Sequence, residues 1–185
     1  MKAKLLGQIA LAAVLAASAA FASSSSGQRN AATDDEIARQ VRHEVLTYSH
    51  YTLWDDINFT VNQGAVELNG AVTQPYKKAD LGKIVQRVPG VASVTNRLEV
   101  LPLSPMDDSL RLQVARAIYR DPSLARYGFG AVPPIHVIVD NGHVKLTGVV
   151  ASSFDKQVAG TRASSVLSFG EIDNELRVEN LGKRG

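Results

Sequence analysis

Apolar and polar residues alternate in two short stretches of this chain, and the two stretches have nearly the same sequence. Residues 64–72 read GAVELNGAV, and residues 142–150 read GHVKLTGVV. Glycine, valine or leucine falls on every second position of both, which is the period of a β-strand with one buried face. Each residue of the first stretch has its counterpart 78 positions later. The chain therefore contains the same structural unit twice.

The residues that open the first unit predict a helix. Ile37, Val41 and Val45 recur every four positions, which puts them along one side of a helix. Thr33 and Glu36 have the spacing of a capping box, in which each residue satisfies a backbone N–H at the helix start. The helix therefore begins just after Thr33.

Two further alternating runs and a second helical run complete the unit. Residues 57–61 alternate and continue through a Gln63-Gly64 turn into the first stretch, which predicts a β-hairpin. Residues 81–88 return to helical spacing, and residues 94–100 alternate again as a third strand. The order of elements is αββαβ.

The second unit repeats this order, so the predicted fold class is α+β. We expect two tandem αββαβ domains at residues 33–101 and 106–180, each a three-stranded sheet with two helices on one face. The acidic pair at 34–35 recurs at 107–108, only 73 positions later, so the second unit carries five extra residues between its first helix and first strand. Insertions of this kind collect in surface loops.

The second helix of the second unit has smaller apolar residues on its buried face than the second helix of the first unit. Residues 159–165 read AGTRASS, and Gly160 alone lowers the stability of a helix by about 1 kcal/mol relative to alanine. Residues 167–169 also read LSF where the first unit has PGV. Either the second domain is the less stable of the two, or its small residues let another group pack closely.

The first 22 residues have the pattern of a secretory signal peptide. Lys2 and Lys4 precede an apolar run at 5–20 that ends in AFA, a small-residue cleavage site. The run is shorter than a membrane-spanning helix needs. We therefore expect an exported, periplasmic protein that begins at Ser23 with a flexible linker over 23–32 and contains no transmembrane segment after cleavage.

Charge and cysteine content narrow the possible functions. The chain has 20 basic and 18 acidic residues, and removal of Lys2 and Lys4 leaves equal numbers. A balanced charge gives no reason to expect nucleic acid as a partner. The chain has no cysteine, so it can form no disulfide and carries no lipidated cysteine.

No catalytic motif occurs in the sequence. There is no nucleophile elbow, zinc-binding helix or nucleotide-binding loop. The four histidines are scattered, and the acidic pairs at 55–56 and 107–108 consist of adjacent residues whose side chains diverge. We expect no enzyme activity, no catalytic residue, no metal ligand and no cofactor.

The combined motifs resemble the BON domain, a small bacterial envelope module. They comprise the acidic helix start, the Gly-x-Val-x-Leu-x-Gly-x-Val strand, the PGV at 89–91 and the VTNRLEV at 94–100. A doubled domain behind a signal peptide is similar to periplasmic members of that family. The resemblance implies a non-enzymatic role in envelope integrity or stress tolerance, through binding of phospholipid or assistance to other envelope proteins.

The first helix of the second unit is the candidate lipid-binding surface. Arg116 and Arg120 lie together on one side, and Leu112 and Tyr119 stand seven residues apart along a flank. Basic residues beside exposed apolar ones suit an anionic phospholipid surface. The alternative is a solvated face, with Leu112 and Tyr119 packed against the other domain.

Aromatic residues crowd the loop after the first helix of the first unit. Tyr48, Tyr51 and Trp54 could close the end of the hydrophobic core or form a contact patch for a partner. Core closure is favoured, because Trp54 directly precedes the hairpin. Two functions remain open from the sequence: a phospholipid-binding envelope module, and a periplasmic protein-interaction or chaperone-like factor.

Overall fold

The computed structural model describes residues 33–130, 132–166 and 172–179, which belong to one compact unit. The predicted signal peptide, the linker and the LSF segment lie outside the described residues. No described helix is both long enough and apolar enough to cross a membrane.

Each repeat folds as αββαβ, as the sequence predicts. The first repeat consists of α1 (Asp34–Thr47), β1 (Asp56–Asn62), β2 (Ala65–Val72), α2 (Pro75–Gln86), β3 (Ser93–Asn96) and β4 (Glu99–Val100). The second consists of α3 (Pro105–Tyr119), a 3-10 helix (Ala125–Gly128), β5 (Ile135–Asp140), β6 (His143–Val150), α4 (Ser153–Ser164), β7 (Ile172–Asn174) and β8 (Arg177–Val178).

The second strand of each hairpin is the centre of its sheet. In the first repeat β2 pairs antiparallel with β1 and parallel with β3 and β4, and β6 makes the corresponding pairs in the second. The buried residues of α1 and α2 pack with those of the strands into one core. The predicted third strand is interrupted, because the Asn96 side chain accepts a hydrogen bond from the Leu98 N–H and turns the chain between β3 and β4.

The glycines of the repeated strand are required by the backbone. Gln63 and Gly64 have φ values of 51° and 77°, and Asn141 and Gly142 have 50° and 83°, which are the positive angles of a type I′ hairpin turn. A Cβ atom on Gly148 would lie 2.0 Å from the Pro134 carbonyl oxygen. The glycines of the repeated sequence are therefore needed for a tight turn and, six residues later, for a close approach of two strands.

The acidic residue that opens the first helix of each repeat holds the hairpin turn. The Asp34 carboxylate accepts hydrogen bonds from the backbone N–H groups of Gln63 and Gly64. Asp107 accepts the equivalent bonds from Asn141 and Gly142. Asp107 is buried, so the recurrence of this residue reflects a structural bond between helix and turn.

The small residues of α4 allow a side chain to pack closely. A Cβ atom on Gly160 would lie 2.7 Å from the Asn174 amide nitrogen, and one on Gly82 would lie 2.9 Å from that of Asn96. Each of these asparagines donates a hydrogen bond to a carbonyl of the adjacent helix. Both repeats thus have glycine at this position, and it does not distinguish their stabilities.

The insertion in the second repeat contributes to its core. Leu124 and Tyr127 are buried against the residues of α3, α4 and the sheet. Leu53 and Trp54, which belong to the first repeat, also pack against this core. The Leu53 carbonyl accepts a hydrogen bond of 2.9 Å from the Val137 N–H, so the loop before β1 joins the two repeats.

Candidate interaction surfaces

The outer face of α3 combines apolar and basic side chains. Met106 and Leu112 are 84% and 47% exposed, and Arg116 and Arg120 are exposed. At 3.6 residues per turn these four residues fall within about a third of the helix circumference. We call this set the α3 strip.

The sequence predicts Tyr119 together with Leu112 along a flank beside the two arginines, but Tyr119 points inward. Its hydroxyl donates a hydrogen bond of 2.6 Å to the Ile135 carbonyl, and burial raises the pKa of this hydroxyl above its usual range. Met106, which the sequence analysis did not select, takes its place as an exposed apolar residue. The available signal was a helical wheel that includes the first turn of the helix, which puts Met106 next to Arg120.

The inner face of α3 contains a charged residue among its apolar ones. Val114, Ala115 and Ile118 are buried and Arg111 is buried beside them, while Ala117 is only half-buried. Arg111 donates to the Val139 carbonyl. Hydrophobic periodicity cannot identify a buried arginine that is held by a strand carbonyl and by a carboxylate of its own helix.

Acidic side chains near the α3 strip are already engaged. Asp107 is buried and binds the hairpin turn, and Asp108 forms an ion pair with Arg111. Among the described residues, Arg116 and Arg120 form no ion pair. The charge that this face presents to solvent is therefore positive.

A shallow groove of about 470 Å³ runs beside the two arginines, between α3 and the end of α4. The first repeat has a groove at the equivalent place, lined by Arg39, His43 and Arg87. Glu44 also lines that groove, so its charge is mixed. The two grooves occupy equivalent places in the two repeats and differ in charge, which makes them suitable for comparison.

The aromatic residues of the loop before β1 do not form one patch. Tyr48 packs against the first core and donates a hydrogen bond of 3.1 Å to Asp80; burial and this carboxylate raise its pKa to about 12. Trp54 packs against the second core. Tyr51 stacks on His136, with ring centroids 5.5 Å apart. The loop therefore serves both cores and the contact between the repeats.

His136 is buried at this contact. Burial lowers the pKa of its imidazole, against the opposing effect of the Asp56 and Asp55 carboxylates. Its Nε2 atom lies 3.4 Å from the Tyr51 hydroxyl oxygen. Thr147, its cross-strand partner, is also buried, and its Oγ1 atom has no hydrogen-bond partner in the described structure.

A groove of about 330 Å³ adjoins this contact. One wall consists of α1 and β1, and includes Arg42, Leu46 and Phe59. The other consists of the second sheet, and includes His136 and Thr147. The groove thus offers apolar surface and unpaired polar atoms together.

A family model for the BON domain matches residues 33–102 and again residues 107–180. The chain belongs to the BON domain family. The resemblance seen in its motifs is confirmed, with two BON domains in tandem. The family is associated with phospholipid binding and with envelope proteins, and it is generally non-enzymatic.

Two solved structures from Chlamydia trachomatis are similar to this tandem BON protein over 78% of its chain. They are those of CdsD, described as a structural protein of the type III secretion system, and of its C-terminal domain. The identities are 15% and 16%, and the TM-scores are 0.30 and 0.29. The match spans 61% and 65% of those chains, less than two thirds of either. No curated protein sequence matches the chain.

The buried charges of the BON domains act in structural clusters. Asp55 accepts hydrogen bonds from Lys77, Thr52 and Thr73. In the second domain Asp155 accepts from Arg126, Tyr127 and Ser152. Within residues 33–130, 132–166 and 172–179, no group of three histidine or acidic side chains could hold a metal ion.

Proposed function

We propose that this protein is a non-enzymatic bacterial envelope protein that binds anionic phospholipid surfaces and thereby supports envelope integrity or stress tolerance. The α3 strip carries the proposal. It has two exposed apolar side chains and two arginines, and within the described part of the chain these arginines have no ion-pair partner and the nearby acidic residues are already engaged. The association of the family with phospholipid binding supports the same function.

The strip has the chemistry of a surface that inserts shallowly into lipid headgroups. Each arginine near an anionic leaflet contributes about 1 kcal/mol, and this contribution decreases with salt. Met106 and Leu112 supply apolar surface that can enter the acyl boundary. Because the chain after the predicted signal peptide has balanced charge, attraction must come from this local surface.

The proposal predicts that Arg116→Glu/Arg120→Glu abolishes co-sedimentation with anionic liposomes. The parent protein, starting at Ser23, should sediment with anionic vesicles, only weakly with neutral ones, and less as salt increases. Both arginines are exposed, so the circular dichroism spectrum should stay unchanged.

A matched control is Arg39→Glu/Arg87→Glu, which makes the same charge change at the equivalent groove of the first BON domain. This variant should retain most of the binding. If both double variants bind like the parent, or the parent never sediments, the α3 strip is not a lipid site and a protein partner becomes the leading function.

The proposed location is the periplasm, and it has its own test. The basic and apolar leader with its AFA site supports export and cleavage after Ala22. The intact mass of protein from a periplasmic extract should correspond to a chain beginning at Ser23 without lipid. Retention of Met1 would contradict this location.

A further inference from the structure

The outer edge of β1 has unpaired backbone groups. Asn62 and Ala65 flank a two-residue turn and pair with each other, so alternate residues from Val61 back to Ile57 direct their N–H and C=O groups away from β2. Among the described residues, these outward groups have no hydrogen-bond partner. Unpaired edges of this kind can add a further strand.

The corresponding edge of the second BON domain is covered at two points. The Tyr119 hydroxyl donates to the Ile135 carbonyl, and the Val137 N–H donates to the Leu53 carbonyl. Leu46 occupies the Tyr119 position in the first domain and has no hydroxyl. Leu46 is 56% exposed, so the first domain lacks both covers.

The uncovered edge opens into the 330 Å³ groove. Ile57 and Phe59, the counterparts of Ile135 and Val137, line it together with Leu46. Across the groove stands Thr147, only 6% exposed and with an unpaired hydroxyl. A ligand that fits must offer both donors and acceptors along β1 and an apolar group for the Leu46 end.

We propose that this groove binds an extended polypeptide segment with apolar side chains at alternate positions, which pairs with the β1 edge as an additional strand. At the equivalent edge of the second domain, the outward Val137 N–H already donates one hydrogen bond to the Leu53 carbonyl, so such outward groups do take backbone partners in this chain. A lipid acyl chain cannot donate to the Ile57 carbonyl or accept from the Phe59 N–H. This interaction is separate from lipid binding by the α3 strip.

The charges of the groove make a prediction about salt. Two arginines and two carboxylates line it: Arg42, Arg177, Asp56 and Glu175. Because these positive and negative charges balance, peptide binding should depend on backbone hydrogen bonds and apolar contact. The affinity for the peptide should therefore change little with salt. Lipid binding by the α3 strip should weaken with salt, which separates the two sites.

The test uses the protein from Ser23 onward and a blocked synthetic peptide with the sequence of residues 49–55, which contains Leu53, the residue that hydrogen-bonds to β5. Amide hydrogen exchange by NMR should show the Phe59 and Val61 amides protected when the peptide is added. The same peptide with a fully N-methylated backbone should give no protection. Arg116→Glu/Arg120→Glu should bind the peptide like the parent.

The decisive variant is Leu46→Tyr, which can cap the Ile57 carbonyl as Tyr119 caps Ile135. It should weaken peptide binding about tenfold, since one hydrogen-bond site is lost, while Leu103→Tyr, at an exposed site outside the groove, should not. Three results would overturn the proposal: no protection of Phe59 and Val61, equal binding of the N-methylated peptide, or protection that rises with protein concentration without peptide. The last would make a second copy the occupant.

Discussion

At the scale of single residues, one buried position has opposite charge in the two domains. Lys77 and Asp155 occupy the same place in the second helix of each repeat, and both are buried. Lys77 donates a hydrogen bond of 2.7 Å to Asp55, whereas Asp155 accepts one of 2.6 Å from Arg126. In each domain the partner comes from the segment between the first helix and the hairpin, so the pair fastens that segment to the helix.

Removal of Lys77 should be strongly destabilising. Lys77→Met leaves the Asp55 carboxylate buried without its counter-charge, and loss of one partner of a buried pair typically lowers the free energy of unfolding by about 3–5 kcal/mol. Urea unfolding should show this decrease. Lys83→Met, at an exposed position of the same helix, is the control; equal midpoints for the two variants would contradict the structural role of the pair.

Gly160→Ala should also destabilise, although alanine is the better helix former. The added Cβ would lie 2.7 Å from the Asn174 amide nitrogen, and forced contacts of this kind lower stability by about 1–3 kcal/mol. Truncation of the asparagine removes the clash, so Gly160→Ala should cause a smaller loss in an Asn174→Ala background. A double-mutant cycle measures this coupling, and simple additivity would refute it.

Residue roles of this kind could be predicted from the sequence only in part. The capping box of Thr33 and Glu36 is local, and the structure confirms it. The bond made by Asp107 could not be predicted, because nothing in the neighbouring sequence shows that this residue binds a turn 34 residues later. Sequence patterns indicate contacts within one helix or strand, but they do not indicate contacts between distant elements.

At the scale of elements, the insertion compensates for the thin second helix of the second domain. The buried residues of α4 include only two alanines that are apolar, while Leu124 and Tyr127 enter the same core from the insertion. Tyr127 also donates to Asp155, which ties the inserted segment to the start of α4. An insertion expected as a simple surface loop therefore supplies core volume.

Leu124→Ala should test this compensation. Leu124 is fully buried, and truncation of a buried leucine to alanine lowers the free energy of unfolding by about 2–5 kcal/mol. Hydrogen exchange should locate the loss of protection in the second domain. The exposed Leu103→Ala should have almost no effect, and a similar loss for both variants would show that Leu124 has no special part in the core.

The order of elements was predictable because each depends on local period and turn residues. Alternation in the hairpin and four-residue spacing in α1 follow from which face is buried. The break between β3 and β4 could not be predicted, because it depends on the hydrogen bond between the Asn96 side chain and the Leu98 N–H. Of the four candidate residues of α3, Leu112, Arg116 and Arg120 are exposed. Tyr119 instead hydrogen-bonds to a carbonyl of β5, which the sequence spacing does not indicate.

At the scale of the whole molecule, a short loop of the first domain completes the second. Leu53 and Trp54 pack on the second core, and Tyr51 stacks on His136. The aromatic cluster was noticed in the sequence, but its partner lies 85 residues away and has no local signature. The outer edge of β5 therefore has a backbone hydrogen-bond partner in this loop, whereas the equivalent edge of β1 has none among the described residues.

The domain contact should weaken in mild acid. Burial lowers the pKa of His136 from its usual 6.5, so below pH 6.5 the unfolded chain binds a proton that the folded chain does not. Stability therefore falls as the pH decreases from 6.5 towards the folded pKa. The nearby Asp55 and Asp56 carboxylates limit the effect by favouring the charged ring, and Tyr51 and Thr147 complete its surroundings.

Urea unfolding at pH 7.5 and 5.5 measures this dependence. His136→Gln replaces the ring by a group that does not titrate, and it should reduce the difference in unfolding free energy between the two pH values. The pKa of Asp155 is lowered from 3.8, because the Ser152, Tyr127 and Arg126 hydrogen bonds outweigh its burial. The stability that Asp155 contributes is lost only below pH 3.8. Titration of Asp155 therefore does not affect the comparison between pH 7.5 and pH 5.5. His143→Gln, at the exposed first residue of β6, should behave like the parent, and an unchanged difference in His136→Gln would exclude His136 as the group responsible.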